Sequence, residues 1–215
     1  NLEGDFDTDD FVSLLFYMGY LTIVGDNVVA LKMACPNFVI KSLFYDFFAA
    51  LIRQDNLLKA QVPDIREIVT QLAQQNHIRP LLALVEGILQ ALSNRDYIGF
   101  DEKYVHLLFV VLGNQAGFYY VKSQPEVDQK YPDVMFLYRP PYFVNHQFVF
   151  EIKYLKKSEA GELEAKKQKA REQLQGYLQS QEIRDFIVRP EHGMETVKSY
   201  AIVFVGAKAE SVEEI

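Results

Sequence analysis

The run Gln147-Phe148-Val149-Phe150-Glu151-Ile152-Lys153-Tyr154-Leu155 has the length and character of a buried strand, yet its second half carries a carboxylate and an ammonium. Alternate side chains of a strand share a face, so Glu151 and Lys153 point the same way out of an otherwise apolar segment. Such a pair invites a metal ion and a phosphate, the oxygens serving the cation and the ammonium the anion. A second strand is written in Val134-Met135-Phe136-Leu137-Tyr138, with Asp133 at its entrance. The connection from Arg139 to His146 contains Pro140, Pro141 and Asn145, residues that favour turns. Pairing the two strands as a hairpin across it brings Asp133 near Glu151.

The rest of the chain supplies elements around this pair. Residues Asp7–Met18 read as a helix, with Asp7, Thr8 and Asp9 as caps, Phe11, Leu14, Leu15 and Met18 at helical spacing, and Gly19 to close it. Tyr20–Val24 and Val28–Lys32 read as a hairpin around Gly25-Asp26-Asn27. Pro36-Asn37 opens a second helix with Ile40, Leu43, Phe44, Phe47, Phe48 and Leu51 on one face. Helices follow at Asp64–Gln74 and Arg79–Leu92. The polar, aperiodic stretch Ser93–Phe100 marks a domain boundary, giving a helical segment 1–92 with one hairpin and a second domain 93–215. In that domain Asp101–Leu112 is a helix stopped by Gly113, with Glu102 and His106 one turn apart. Strands at Phe118–Lys122, Pro132–Tyr138 and Gln147–Leu155 come next, then a helix at Glu162–Ser180 and a last strand at Lys198–Val205.

Composition narrows the function. The chain of 215 residues carries a formal charge of −7, with a pI near 5.2, which argues against a general nucleic-acid coat but leaves room for a local basic face. One cysteine, Cys35, excludes an internal disulfide and a cysteine-based zinc cluster, and its apolar setting reads as an inert thiol. No apolar run is long enough to cross a bilayer, and the chain opens on Asn1 without a signal-like segment, so it reads as part of a longer cytoplasmic protein. His77, His106, His146 and His192 lack metal-ligand spacing, and His106 reads as a helix-packing histidine that could face the cleft.

The order helix, three strands, helix, strand, together with Pro132-Asp133 and Glu151-Ile152-Lys153, resembles the PD-(D/E)XK nuclease superfamily. Glu102 on the preceding helix and Gln173 with Tyr177 on the following one extend the likeness. More narrowly, the segment from Leu14 to Ile23, the start Glu102-Lys103-Tyr104 and the Gln173 to Tyr177 helix are similar to a bacterial family in which the nuclease domain follows an AAA-ATPase-like domain. The resemblance implies an α/β (α+β) restriction-endonuclease-like αβββαβ core with a central mixed sheet, and makes residues 1–92 the tail of the upstream ATPase-like module. No Walker A loop is present, so this stretch alone should not hydrolyse ATP.

The implied activity is a Mg²⁺- or Mn²⁺-dependent endo- or exodeoxyribonuclease. The metal is then held by Asp133, Glu151 and the Ile152 carbonyl, with Glu102 as a further carboxylate, directly or through water. Lys153 orients or deprotonates the attacking water and stabilises the developing charge, while Gln173 and Tyr177 steady the site or touch the phosphate. Lys169 and Arg171, in a lysine-rich stretch with Lys166 and Lys167, are placed to meet a nucleic-acid backbone through salt-sensitive contacts. The alternative is a catalytically silent copy of the fold serving as a protein-interaction or regulatory module. A winged-helix role for the first segment is disfavoured, because neither of its helices carries a dense Lys/Arg face.

Overall fold

A computed structural model of the chain describes residues 8–27, 30–37, 39–40, 43–44, 47, 65–92, 100–123, 132–187 and 196–215. The chain divides into two compact units, Asn1–Phe48 and Ala49–Ile215. The expected boundary at Ser93–Phe100 falls, apart from Phe100, outside the described residues.

In the first unit helix α1 spans Thr8–Tyr17 and strands β1 (Thr22–Asn27) and β2 (Ala30–Ala34) pair antiparallel. Gly19 leaves the helix at φ +77°, a conformation that costs glycine little. The hairpin differs from the sequence reading in its turn. Gly25, Asp26 and Asn27 lie within β1, opposite Lys32, Leu31 and Ala30, and the connecting residues 28–29 are outside the described set. Of the helix expected from Pro36, residues 39–40, 43–44 and 47 are helical, and the Ile40 amide donates to Asn37 Oδ1 at 3.0 Å in a side-chain cap. Phe48 and Leu51 are outside the described residues.

The second unit is built on a five-stranded mixed sheet in the order β3-β4-β5-β6-β7, where β3 is Tyr119–Ser123, β4 Val134–Tyr138, β5 Gln147–Leu155, β6 Val197–Val205 and β7 Lys208–Glu214. Neighbours are antiparallel except β5 and β6, which run parallel. Strand β5 is central, hydrogen-bonded on both edges and buried from Gln147 to Lys153, as a continuous apolar run requires. Helices α2 (Ile65–Gln75) and α3 (Arg79–Ala91) precede α4 (Glu102–Asn114); a 3₁₀ turn at Lys157–Glu162 leads into α5 (Leu163–Leu178), and a short α6 (Gln181–Ile187) follows. The sheet therefore has the mixed character expected, with β7 and α6 added. Strand β7 escaped the sequence reading because it is a partly exposed edge, Lys208-Ala209-Glu210-Ser211-Val212-Glu213-Glu214, and so reads as a polar tail.

Each sheet face is closed by one long helix. Ala170, Leu174 and Tyr177 of α5 pack with Met135, Leu137, Val149 and Ala201. On the opposite face Phe109 of α4 meets Phe150 edge-on at 5.3 Å between centroids, within an aromatic group that includes Phe136, Phe148 and Tyr119. Gly113 does not stop α4 but lies inside it, where a Cβ would collide with the Phe136 ring. Its missing side chain lets helix and sheet approach. The α2–α3 pair belongs to this same unit. Ala73 O accepts the amides of Asn145 and His146 at 3.1 and 3.0 Å, and Glu86 Oε1 accepts the Ala209 amide at 2.8 Å, so the turn before β5 and the edge strand β7 are both held by α2–α3.

Candidate active site

The ladder between β4 and β5 is short. Val134 pairs with Phe150, Met135 with Val149 and Phe136 with Phe148, and beyond Phe150 the two strands part. The Ile152 amide would then lack a partner on that edge, a cost a buried N–H does not carry for free. Asp133, the residue just ahead of β4, supplies it: Oδ2 accepts the Ile152 N–H at 2.7 Å. This bond fixes Asp133 beside Glu151 and Lys153, as the hairpin reading required.

Helix α4 brings two further groups. Asp101 caps it by accepting the Lys103 amide at 2.9 Å, which puts Glu102 in the first turn and His106 one turn later on the same face. Lys153 Nζ sits among the carboxylates, 2.6 Å from Glu151 Oε1, 3.4 Å from Glu102 Oε1 and 3.7 Å from Asp133 Oδ2. His106 Nε2 is 3.4 Å from Asp133 Oδ2, 3.4 Å from the Ile152 carbonyl oxygen and 4.0 Å from Glu102 Oε1. The sequence reading favoured a packing role for His106; the structure turns it into the cluster. Its i, i+4 relation to Glu102 was the available signal, but spacing alone did not say which side of the helix met the sheet.

Three carboxylates facing one ammonium leave an excess of negative charge in a largely buried space. Glu151, 1 % exposed, is pushed up to about 7, first by burial and then by the Asp133 charge, with Lys153 opposing both. Burial also raises Asp133, offset by His106, Lys153 and the Ile152 amide. For Lys153 burial disfavours the charged form, but Asp133, Glu151 and Glu102 together outweigh it and hold the ammonium protonated above its usual range. Burial and the charges of Glu151 and Asp133 keep the Tyr177 hydroxyl protonated too. Glu151 Oε1 has the Lys153 ammonium at 2.6 Å, while Glu151 Oε2 and Gln173 Oε1 are buried without an aligned donor among the described residues. Buried acceptors left in this state are the donor set a cation completes.

Glu102, Asp133, Glu151 and Lys153 are thus brought together, with the Ile152 carbonyl at their edge and Tyr177 close enough to feel the Glu151 charge. Gln173 lies one turn before Tyr177 on α5, and Lys169, exposed, one turn before Gln173. Arg171 is not brought to this group. Two residues from Gln173 places it across the helix, where Nη1 pairs with Glu213 Oε1 of β7 at 3.1 Å.

A carboxylate cluster with one lysine, set where two central strands part, defines a centre suited to binding a divalent cation beside a phosphate. The chain belongs to the PD-(D/E)XK nuclease superfamily, whose family model matches residues 100–214, more than half of the sequence and all of the segment from α4 to β7. No curated protein matches the chain. Among the described residues no helix is long and apolar enough to cross a membrane.

Proposed function

We propose that this chain hydrolyses phosphodiester bonds, in DNA rather than RNA, at the cluster formed by Glu102, Asp133, Glu151 and Lys153. The observation that carries the reading is the ammonium of Lys153 within 3.7 Å of all three carboxylates, in the segment matched by the nuclease family. Asp133, Glu151, Glu102 and the Ile152 carbonyl would hold a Mg²⁺ or Mn²⁺ ion. When bound, such an ion supplies Lewis acidity and charge neutralisation for an attacking water and the scissile phosphate.

The protein groups divide the remaining work. Lys153, kept protonated by its neighbours, donates to the attacking water or to a phosphate oxygen and stabilises the charge that builds there. Its raised pKa supports the orienting role over that of a base that removes the proton. Asp133 spends one oxygen on the Ile152 amide and is thereby fixed, so its position does not depend on what binds. Tyr177 and Gln173 steady Glu151 from the α5 side, and Lys169 extends the contact toward a strand backbone. Residues 1–92, in this reading, lead from an ATPase-like module of the full-length protein into the nuclease unit, their last part, α2–α3, belonging to that unit.

The experiment is Mg²⁺- or Mn²⁺-dependent cleavage of linear, circular and single-stranded DNA and of RNA by the chain, beside Asp133→Ala and Lys153→Ala. Loss of cleavage in both folded variants supports the reading. Cleavage that survives them points to another site, and a chain that binds metal without cutting any substrate supports the silent interaction module instead.

A further inference from the structure

We propose that His106 gives the cation site a nitrogen ligand and thereby makes it select Mn²⁺ over Mg²⁺; this rests on the nuclease reading above and adds to it a ligand and an ion preference. Glu102, His106 and Asp133 each offer one ligand atom, all within 4.8 Å of one another. From His106 Nε2 the distances are 3.4 Å to Asp133 Oδ2, 3.4 Å to the Ile152 carbonyl and 4.0 Å to Glu102 Oε1. Around a six-coordinate ion with bonds of about 2.1 Å, adjacent ligand atoms stand about 3 Å apart and opposite ones about 4.2 Å. The spacings of 3.4 to 4.0 Å fall between these two values, so small shifts would bring the donors onto such a sphere.

Hydrogen bonding accounts for the arrangement less well. An imidazole Nε2–H has one proton for two acceptors, Asp133 Oδ2 and Ile152 O, and both lie at 3.4 Å, beyond the usual N–H···O range. The His106 and Asp133 side chains are only 6 % and 8 % exposed, so solvent does little to complete the contact. Glu151 adds two buried oxygens, of which Oε1 faces the Lys153 ammonium at 2.6 Å and Oε2 has no aligned donor among the described residues. Three segments of chain, α4, the residue before β4, and β5, thus converge their polar atoms, and among these contacts those of His106 are long.

The choice of ion follows from the donor types. Carboxylate and carbonyl oxygens serve Mg²⁺ and Mn²⁺ alike, whereas imidazole suits transition ions and Mg²⁺ takes oxygen ligands with several waters retained. One nitrogen in an otherwise oxygen set therefore tips affinity toward Mn²⁺.

The test is electron paramagnetic resonance of Mn²⁺ bound to the full chain. Pulsed measurement should show ¹⁴N modulation from a directly bound imidazole, and the modulation should vanish in His106→Gln. Competition should require at least about tenfold more Mg²⁺ than Mn²⁺ to empty the site, an advantage reduced by about tenfold in His106→Gln. If the variant does not fold, the ¹⁴N signal of the unaltered chain decides alone. Mn²⁺ bound without nitrogen modulation overturns the His106 assignment and leaves the nuclease reading standing. A folded chain that binds neither ion overturns both.

Discussion

Glu151→Gln separates what the site costs from what it does. The folded pKa of Glu151 near 7 stands about 2.5 units above its ordinary value of 4.5, so the folded chain holds this proton more tightly than the unfolded one. The stability tied to it is fully present below pH 4.5 and is lost as pH rises through about 7. At 1.36 kcal/mol per unit, ionised Glu151 weakens the metal-free fold by about 3 kcal/mol at pH 8.5 and by less than about 1 kcal/mol at pH 5. A glutamine keeps the shape and removes the charge. In urea denaturation with a chelator present, Glu151→Gln should therefore exceed the parent by about 3 kcal/mol at pH 8.5 and nearly match it at pH 5. Burial raises Asp133 too, and because its charge is one cause of the Glu151 shift, the difference between the two proteins includes the repulsion that the glutamine relieves. Added Mg²⁺ or Mn²⁺ should stabilise the parent and leave the variant unmoved. A variant no more stable than the parent at pH 8.5 would refute the reasoning, since it would mean that the buried carboxylate is already well solvated or paired.

Lys153→Met removes the ammonium that faces Glu102, Asp133 and Glu151, and should destabilise the metal-free fold by about 3–5 kcal/mol while abolishing cleavage; thermal melts should show a larger metal-induced gain than in the parent, and an unchanged melt would sink the account of the charge balance. Divalent metal at about 100 times its dissociation constant should add about 2.7 kcal/mol to the parent and nothing to Asp133→Ala, read in the same melts. Gly113→Ala should cost about 1–3 kcal/mol through contact with Phe136, measured by urea midpoint, with cleavage retained at low temperature. Arg171→Ala, which breaks an exposed pair with Glu213, should change stability by less than about 1 kcal/mol and leave DNA affinity alone, whereas Lys169→Ala should lower the slope of log affinity on log salt by about 1. The reverse pattern would move the backbone-binding face to the β7 side of α5.

Much of the frame was legible because its rules are local. A period of two places Glu151 and Lys153 on one face of β5 wherever that strand lies, and the apolar run around them places it in the middle of a sheet. The turn residues between β4 and β5 make the pair a hairpin, and a hairpin sets Asp133 near Glu151. What could not be read were facts of orientation and partnership. A helix offers every direction around its axis, and only packing against the sheet, through Phe109 on Phe150 and Gly113 under Phe136, rotates α4 so that His106 joins Glu102 and Asp133. Arg171 was placed near Gln173 by sequence distance, but two helical positions are a half-turn apart, and Glu213 on an edge strand hidden in a charged tail claims it.

The sequence by itself determined which residues could form a metal and phosphate centre and in what order the elements carrying them come, because alternation, helical period and turn chemistry act between near neighbours. Only the tertiary structure decided that β4 and β5 part after Phe150, that the freed Ile152 amide locks Asp133, and that Lys153 faces two buried carboxylates and the half-buried Glu102. Those outcomes depend on burial and on charges brought together from distant parts of the chain, and such energies exist only once the parts have met.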